Sequence, residues 1–332
     1  MQEFIQNAWR RKDAFFYIIL VPLSWLFALI TALRRKLYQF GILKSTALPV
    51  PVIVVGNINV GGSGKTPAVI WLGNQLKQRG YKPAVISRGY GGNATQATSV
   101  TPASLPSIVG DEPVLIASRC GCPVWVGANR VDAATELLKA RPDCNVIISD
   151  DGLQHYRLKR DIEIVVVDAE TGKNNARLLP AGPLREPLSR LDKVDAIVCN
   201  GETCNSEKTR TAAYQMQLVG EKFYNLADAN LTASSADFNQ KKVTALAGIG
   251  KPERFFEHLR KQGLTFASLS FADHYAFTAQ DLAKIDGDAI IMTEKDAVKC
   301  KAFARKSCWV LPVEASIDPA LMPLILNKLA KR

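Results

Sequence analysis

The sequence contains few of the residues that build most metal centres, with three histidines and seven cysteines among 332 residues. The number of cysteines is odd, no pair of C-x-x-C motifs occurs, and Cys120-Gly-Cys122 alone does not make a metal site. We therefore expect reduced thiols of the kind found in cytosolic proteins. Internal repeats and coiled-coil heptads are also missing, which argues against a solenoid or a long fibrous helix.

Acidic residues are outnumbered, because Lys and Arg total 42 against 31 Asp and Glu, a net charge of +11. Such an excess favours acidic partners, either nucleic acid or an anionic membrane surface. The chain lacks a helix-turn-helix pattern and an aromatic-basic platform, so we expect no nucleic acid partner. The length and a hydrophobic content of 47% predict a globular protein of about two domains.

The basic excess is concentrated near the N-terminus. Residues 1–48 hold seven basic side chains against two acidic ones, and residues 14–33 carry no charge. An apolar helix of about 20 residues is long enough to cross a bilayer core. Three interpretations are open: a membrane anchor that spans or partly inserts, a helix buried in the soluble fold, and a cleaved signal peptide, whose small-residue cleavage pattern is poor here. We predict that residues 1–48 form a membrane-anchor helix region.

A glycine loop follows the apolar run 52–55, and residues 56–67 read GNINVGGSGKTP. A strand, a glycine loop and a helix in this order cradle phosphate, because backbone N–H groups converge and the helix N-terminus adds positive potential. In this pattern the lysine reaches the β- and γ-phosphates and the threonine hydroxyl holds Mg²⁺. The residues predicted to bind ATP here are Asn59, Val60, Gly61, Gly62, Ser63, Gly64, Lys65 and Thr66.

The loop departs from the usual P-loop pattern at one position, since Asn59 stands where the first glycine falls. Gly61, Gly62 and Gly64 compensate, although a chance glycine-rich turn remains an alternative. No Asn-Lys-x-Asp string follows a strand to select guanine. The nearest string, residues 192–195, lacks the asparagine and precedes its strand, so ATP is favoured over GTP.

Apolar strands alternate with helical segments over residues 52–199 and again after residue 243. This alternation predicts an α/β fold: a P-loop NTPase-type parallel-sheet domain with a second, smaller α/β domain and an N-terminal membrane-associated helix. A shift to polar composition near residue 200 predicts a P-loop domain over 49–200 and a C-terminal domain over 201–332. The last helix of the second domain is a candidate for packing back on the first.

Two carboxylates, Asp150 and Asp151, follow the apolar strand 146–149, with His155 shortly after them. Acidic residues at the carboxyl end of a parallel strand lie where α/β proteins bind ligands, and in P-loop proteins such a residue holds Mg²⁺. The alternative is a pair of aspartates that serve only a turn or a helix cap.

Other candidate groups are ambiguous from the sequence. Asp111 and Glu112, in Gly-Asp-Glu-Pro, suit either an ordinary helix N-terminus or a general base for a hydroxyl acceptor. His274 lies among aromatic residues, which is also typical of a hydrogen-bonded core histidine. Arg185 and Arg190 lie in a proline-fixed loop that could aim a guanidinium at phosphate, a weak signal alone.

Seven strings resemble those of the tetraacyldisaccharide 4′-kinases, the lipid A 4′-kinases of Gram-negative bacteria, and the resemblance runs in order from about residue 14 to about residue 315. The strings are VGNINVGGSGKTP, ISRGYGG, GDEP, ISDDGLQH, LLPAGPLREP, GIGKPERFF and FADHYAF. The resemblance implies transfer of the ATP γ-phosphate to the 4′-hydroxyl of a tetraacylated glucosamine disaccharide 1-phosphate. It also implies a location on the cytoplasmic face of the inner membrane. No obligate protein partner is evident.

The resemblance assigns roles to individual residues. It implies that Asp111 is the catalytic base, that His274 supports it, and that Lys65 and Arg185 act on the phosphoryl group. By the same resemblance, the metal-binding set is Thr66, Asp150, Asp151 and Glu186, the nucleotide contact is His155, and the acceptor contacts are Arg88, Tyr90 and Glu112. The alternative function is a membrane-associated P-loop ATPase switch of the partition or metal-chaperone type, because the G-G-x-G-K-T form also occurs there.

Overall fold

The computed structural model describes Trp9 and residues 14–169, 175–201 and 209–332, and for residues 14–18 the backbone only. The basic cluster at residues 10–12, part of the predicted anchor region, lies outside the described residues.

Two sheets form the core of the molecule. The first contains β1 (Val52–Gly56), β2 (Pro83–Ser87), β3 (Thr98–Val100), β4 (Val124–Val126), β5 (Val146–Asp150), β6 (Ile162–Asp168), β7 (Ala196–Asn200), β8 (Ala213–Val219) and β15 (Glu314–Ile317). The second contains β9 (Phe223–Asn225), β10 (Thr232–Ala233), β11 (Val243–Ala247), β12 (Ala267–Ser270), β13 (Ala289–Thr293) and β14 (Cys308–Leu311).

The first sheet has the strand order β15-β8-β7-β6-β1-β5-β2-β4-β3. All its pairings are parallel except those of the two edge strands, β15 with β8 and β3 with β4. Every residue of β1, β2, β5 and β7 is buried. Near-continuous apolar strands of this kind are expected where helices cover both faces of a parallel sheet. The predicted α/β class with a parallel sheet is confirmed.

The following α-helices lie within the described ranges. They are α1 (Ala14–Gln39), α2 (Lys65–Gln78), α3 (Pro106–Val109), α4 (Asp111–Cys120), α5 (Arg130–Ala140), α6 (Pro252–Lys261), α7 (Ala279–Ala283), α8 (Glu294–Cys300) and α9 (Leu321–Leu329). Helices α2, α4 and α9 share one apolar core on the first sheet, and α5 packs on its opposite face. The last helix therefore packs on the first sheet.

The second sheet has the order β10-β9-β14-β13-β11-β12, with α6 on one face and α7 and α8 on the other. The chain enters it after β8 and returns to the first sheet through β15. Strand β8 follows the predicted boundary at residue 200 but still belongs to the first sheet, because it pairs in parallel with β7. The division at residue 200 stays a prediction.

Ion pairs connect the parts of the chain built on the two sheets. Asp168, at the carboxyl end of β6, lies 2.6 Å from Lys251 and 2.7 Å from Arg254 of α6. Arg119 of α4 lies 2.8 Å from Glu294 at the start of α8. Since Asp168 and Glu294 are both buried, these pairs are shielded from solvent and hold the second sheet against the first.

The N-terminal helix α1 lies against the loop that precedes Arg185. Its Ser24 hydroxyl donates to the carbonyl of Leu178 at 2.8 Å, and the Trp9 indole N–H donates to the carbonyl of Pro180 at 2.8 Å. The exposed apolar side chains of α1 are Ile19, Leu23, Trp25, Leu26, Leu29, Ile30 and Leu33. Within the described ranges, no helix combines the length and apolar character that crossing a membrane requires.

The cysteines are mostly core residues. Five of them, Cys120, Cys122, Cys144, Cys300 and Cys308, are free and buried. Cys199, at the end of β7, is disulfide-bonded, so the expectation of reduced thiols throughout is wrong at this position.

We predict that Gly73→Ala lowers the free energy of unfolding by about 1–3 kcal/mol, because overpacking strains a close-packed core. Gly73 lies inside α2, where a new methyl group would overlap the Sγ atom of Cys120 on α4. Urea denaturation measures the change. Gln78→Ala, on the exposed end of the same helix, is the control and should stay within about 0.5 kcal/mol of the parent. An unchanged midpoint for Gly73→Ala would contradict the packing argument.

Candidate active site

The P-loop connects β1 to α2 and has a shape that only glycine allows at two positions. Gly61 and Gly64 have φ angles of 106° and 92°, in a region that side chains rarely adopt. Asn57 donates from Nδ2 to the Ser63 hydroxyl at 3.3 Å, and Asn200, at the end of β7, donates from Nδ2 to the Ser63 carbonyl at 3.1 Å. These contacts fix the conformation of the loop.

A second segment, residues 183–186, runs beside the P-loop. The amide of Val60 donates to the carbonyl of Pro183 at 2.8 Å, and the amide of Arg185 donates to the carbonyl of Ile58 at 2.6 Å. This pairing places the Arg185 guanidinium 3.1 Å from the carboxylate of Asp151. The proline-rich loop therefore delivers an arginine to the edge of the sheet where the P-loop begins.

Asp150 and Asp151 lie at the same edge. Because β5 pairs in parallel with β1, Asp150 lies opposite Val55, directly before the P-loop. Asp150 is buried and accepts a hydrogen bond from the Ser87 hydroxyl at 3.0 Å. The Asp151 carboxylate lies 3.6 Å from the ammonium of Lys65. The register of two central strands thus brings the P-loop lysine and both aspartates together.

The two carboxylates differ in their electrostatic environment. Burial, followed by the charges of Glu112 and Asp151, raises the pKa of Asp150 to about 7. Burial also acts to raise the pKa of Asp151, but Lys65 and Arg185 outweigh it and lower that pKa below its usual value. Asp151 is therefore compensated by the protein's own cations. At Asp150 the charge of Lys65 and the hydrogen bond from Ser87 do not outweigh burial, so a further cation would stabilise its ionised form.

The donor atoms at this edge fit Mg²⁺. The Oδ1 atom of Asp150 is buried and has no hydrogen-bond partner among the described residues, and Thr66 lies at the start of α2. Carboxylate and hydroxyl oxygens are the hard ligands that Mg²⁺ prefers. Within the described part of the chain, no three His, Cys, Asp or Glu side chains are grouped as a metal site. Mg²⁺ sites in proteins that act on phosphates often use one or two carboxylates plus the substrate phosphates.

Asp111 and His274 meet across the two parts of the fold. Asp111 is the first residue of α4, and His274 lies in the loop after β12 with a positive φ of 60°. The Nδ1 atom of His274 lies 3.1 Å from both carboxylate oxygens of Asp111. Asp111 is only 4% exposed. The position of Asp111 is therefore both a helix N-terminus and a contact with a histidine 163 residues away.

The hydrogen bond between these side chains governs their pKa values. Burial acts to raise the pKa of Asp111, but the bond to His274 and the charge of Lys295 lower it below its usual value. Burial acts to lower the pKa of His274, but the bond to Asp111 and the charges of Asp111 and Asp273 together outweigh it, so that this pKa is raised. Asp111 is thus a carboxylate at neutral pH, and the helix N-terminus further stabilises its negative charge.

Lys295, on the first turn of α8, is a residue that the sequence did not single out. Its ammonium lies 3.0 Å from Glu112, 3.1 Å from Asp273 and 3.3 Å from Nε2 of His274. The ring of Tyr90 contacts the same imidazole edge-on, with centroids 5.0 Å apart. The available signal was the string Thr-Glu-Lys-Asp directly after β13, because charged residues at the carboxyl end of a parallel strand lie at a ligand-binding edge.

Three other predicted residues lie apart from these contacts. Glu186 is buried and accepts hydrogen bonds from Gln154 at 2.9 Å and Tyr156 at 3.0 Å. It also lies 3.6 Å from Arg35 of α1. No described hydrogen bond or ion pair joins it to Asp150 or Asp151. Glu186 therefore connects the N-terminal helix to the segment that carries Arg185.

His155 and Arg88 are not part of either carboxylate cluster. Burial, then the positive charges of Arg130 and Arg160, lower the pKa of His155 to about 4. His155 is thus a neutral imidazole at physiological pH, and its buried Nε2 atom has no hydrogen-bond partner among the described residues. Arg88 is exposed at the end of β2.

The chain is similar to known proteins over almost its whole length. The sequence model of the LpxK family, tetraacyldisaccharide-1-P 4′-kinase, matches residues 16–330. A tetraacyldisaccharide 4′-kinase of Methylobacillus flagellatus is 50% identical, with 95% of this chain and 92% of that protein covered. One of Dechloromonas aromatica is 46% identical over 100% of this chain and 99% of that protein.

A solved structure gives the same result. The crystal structure of LpxK from Aquifex aeolicus in complex with ATP superposes with a TM-score of 0.77 and 29% sequence identity, and the match covers 93% of this chain and 98% of that one. Since the family model and the relatives match almost from end to end, this chain belongs to the tetraacyldisaccharide-1-P 4′-kinase family.

Proposed function

We propose that this protein transfers the γ-phosphoryl group of ATP to the 4′-hydroxyl of a tetraacylated glucosamine disaccharide 1-phosphate, a step of lipid A biosynthesis. The observation that carries the proposal is the Asp111–His274 pair, with Nδ1 3.1 Å from both carboxylate oxygens. A hydroxyl acceptor needs a group to take its proton, and a buried carboxylate held by a histidine is such a group. The names of the relatives supply the chemical identity of the acceptor.

The nucleotide end of the reaction is assigned to the P-loop. The glycine loop, in which Gly62 follows Asn59 and Val60, presents backbone amides to the phosphates of ATP, and Lys65 adds a positive charge. The amide of Val60 is already bound to the carbonyl of Pro183. Arg185, beside Asp151, balances the charge on the transferring group. Thr66 and Asp150 are the residues that would hold Mg²⁺, which supplies positive charge to the phosphate oxygens. A metal contact of Asp151 or Glu186 stays a prediction, because the Asp151 carboxylate contacts Lys65 and the Glu186 carboxylate contacts Gln154 and Tyr156.

The acceptor end is assigned to the N-terminus of α4. Glu112 raises the pKa of Asp150, so α4 and the nucleotide edge of the sheet share one electrostatic environment. Asp111 is ionised and takes the hydroxyl proton as the bond to phosphorus forms. Its pKa is low for a base, but phosphoryl transfer through a loose transition state needs the base only late. The proposed contacts with the sugar are Tyr90, whose ring contacts the His274 imidazole, and Arg88 on the same loop after β2.

The N-terminal helix suits an acceptor that resides in a bilayer. Its exposed face carries apolar side chains that include Trp25 and Leu29, 70% and 65% exposed. Arg34 and Arg35 follow on the next turn, where they would lie at the level of anionic headgroups. The protein would thus lie on the cytoplasmic face of the inner membrane of a Gram-negative bacterium, where ATP is available. A P-loop ATPase switch of the partition or metal-chaperone type is not favoured, since the family model and the relatives that match almost the whole chain are those of a kinase.

We predict that Asp111→Asn lowers kcat for phosphate transfer by about 10²–10⁴-fold, the range that general base catalysis contributes. The dissociation constant for ATP should stay within about twofold, because Asp111 does not contact the P-loop. The assay uses radiolabelled ATP and tetraacyldisaccharide 1-phosphate in detergent micelles. Asp237→Asn, an exposed carboxylate on the second sheet's side of the molecule, is the control and should keep full activity. Undiminished transfer by Asp111→Asn would remove it from the mechanism.

We predict that the stabilising effect of His274 is larger at pH 5.5 than at pH 9. Its pKa in the folded protein is raised from the usual 6.5. The stabilisation is therefore fully present below about 6.5 and is lost as pH rises through the raised value. The measurement is the difference in unfolding free energy between the parent and His274→Asn. The same comparison in an Asp111→Asn background is the control and should lose its pH trend. An equal effect at both pH values would contradict the pairing.

We predict that Trp25→Ser combined with Leu29→Ser weakens binding to phosphatidylethanolamine–phosphatidylglycerol vesicles by at least about tenfold, because burial of each side chain in the bilayer contributes about 1.5–3 kcal/mol. Vesicle flotation measures the bound fraction. Val219→Ser combined with Leu231→Ser, two exposed apolar residues away from α1, is the control. Equal binding of all three proteins would exclude α1 as the membrane contact.

A further inference from the structure

The ammonium of Lys295 connects three side chains around the catalytic pair. It lies 3.0 Å from Glu112 on α4 and 3.1 Å from Asp273, the residue before His274. It also lies 3.3 Å from Nε2 of His274 itself. Lys295 is largely buried, with its side chain 15% exposed, so these contacts are shielded from water. Its position on α8 is fixed by the Thr293 side chain, which caps that helix.

The chemistry of this contact determines where the imidazole proton resides. A lysine ammonium has three N–H donors and no acceptor. Burial acts to lower the pKa of Lys295, but Glu112, Asp111 and Asp273 outweigh it and raise that pKa, so the group is charged. A charged lysine can hydrogen-bond Nε2 of His274 only by donating to it, which requires a neutral imidazole whose Nε2 presents its lone pair. The proton of a neutral imidazole is then on Nδ1, where it faces Asp111.

Without Lys295 the opposite tautomer has a partner. The Oδ1 atom of Asp273 lies 3.8 Å from Nε2 of His274, and a small rotation of either side chain would let an Nε2–H group donate to it. Nδ1 would then carry a lone pair toward the Asp111 carboxylate, and the hydrogen bond between them would be lost. Lys299 also faces this cluster, with its ammonium 4.0 Å from Asp111 and 2.8 Å from Asp296. Among the described residues, no hydrogen bond or ion pair joins Lys299 to the imidazole.

We propose that Lys295 is a positioning residue that holds His274 as the Nδ1–H tautomer and thereby orients the Asp111 carboxylate. The ammonium occupies Nε2 and also neutralises Asp273, the competing acceptor. Lys295 lies on α8, beside the second sheet, and Glu112 lies on α4, beside the first. The contact between Lys295 and Glu112 therefore forms only when the two sheets are packed together, and the tautomer of His274 is set only then. The role in turnover depends on the proposed kinase function, whereas the tautomer does not.

The test uses the full-length protein labelled with ¹⁵N-histidine in detergent micelles, with spectra recorded as the pH is raised until the His274 imidazole is neutral, because its pKa is raised. Only three histidines occur, and the loss of one set of imidazole signals in His274→Asn identifies those of His274. We expect Nδ1–H in the parent, and Nε2–H in Lys295→Met. Lys295→Arg, which restores donors at this position, should return the Nδ1–H form. Arg119→Gln is the matched control, because it removes another ion pair between α4 and α8 without touching His274.

Kinetics complete the test. With radiolabelled ATP and tetraacyldisaccharide 1-phosphate, Lys295→Met should lower kcat by about 10- to 100-fold, the cost of a misplaced catalytic group. KM for ATP should stay within about twofold, and Arg119→Gln should match the parent in both respects. An Nε2–H signal in the parent overturns the proposal without any variant, as does an unchanged tautomer in Lys295→Met. An altered tautomer with undiminished kcat overturns its role in turnover. Failure of the parent to phosphorylate the lipid would instead refute the proposed function and leave the tautomer result standing.

Discussion

The electrostatic junction between α4 and the second sheet is the interaction on which the proposed chemistry depends. The first turn of α4 carries two carboxylates, Asp111 and Glu112. Asp111 contacts His274, in the loop after β12, and Glu112 contacts Lys295, on α8. Neither group of charges would be stable alone in so buried a position, because a buried charge without a partner is costly. The base of the proposed reaction is therefore assembled by the contact of two parts of the chain.

The nucleotide edge of the first sheet is built on a different principle. There the sheet register places Asp150 beside the P-loop, and backbone hydrogen bonds bring the segment that carries Arg185 against it. Asp151 is compensated by Lys65 and Arg185, whereas Asp150 has one oxygen without a partner. A positive charge beside the phosphate cradle would therefore stabilise the Asp150 carboxylate. Enzymes that transfer phosphoryl groups use a metal ion at this position. The N-terminal helix is tied to the same edge through Arg35 and Glu186.

Much of the first sheet could be predicted, because buried parallel strands are short apolar runs that need no partner to be identified. Strands β8 and β15 were harder. Their residues are only partly buried, and their place at the edge of the first sheet is set by pairing across some hundred residues of chain. The same limit applied to the site. Asp111 suited a helix N-terminus and His274 suited an aromatic core equally well, and only their meeting selects one interpretation. Lys295 belongs to no recognised sequence motif, and its one signal was its place among charged residues directly after β13.

The sequence by itself determined the P-loop, the class of ligand and the family, because those depend on local strings of residues whose chemistry is independent of the rest of the chain. The tertiary structure decided which charges meet. Elements far apart in the chain set the distance between Asp111 and His274 and the contacts of Lys295. They also bury the Oδ1 atom of Asp150, which has no hydrogen-bond partner among the described residues. Electrostatic interactions depend on separation and burial, and both quantities exist only once the two sheets have packed together.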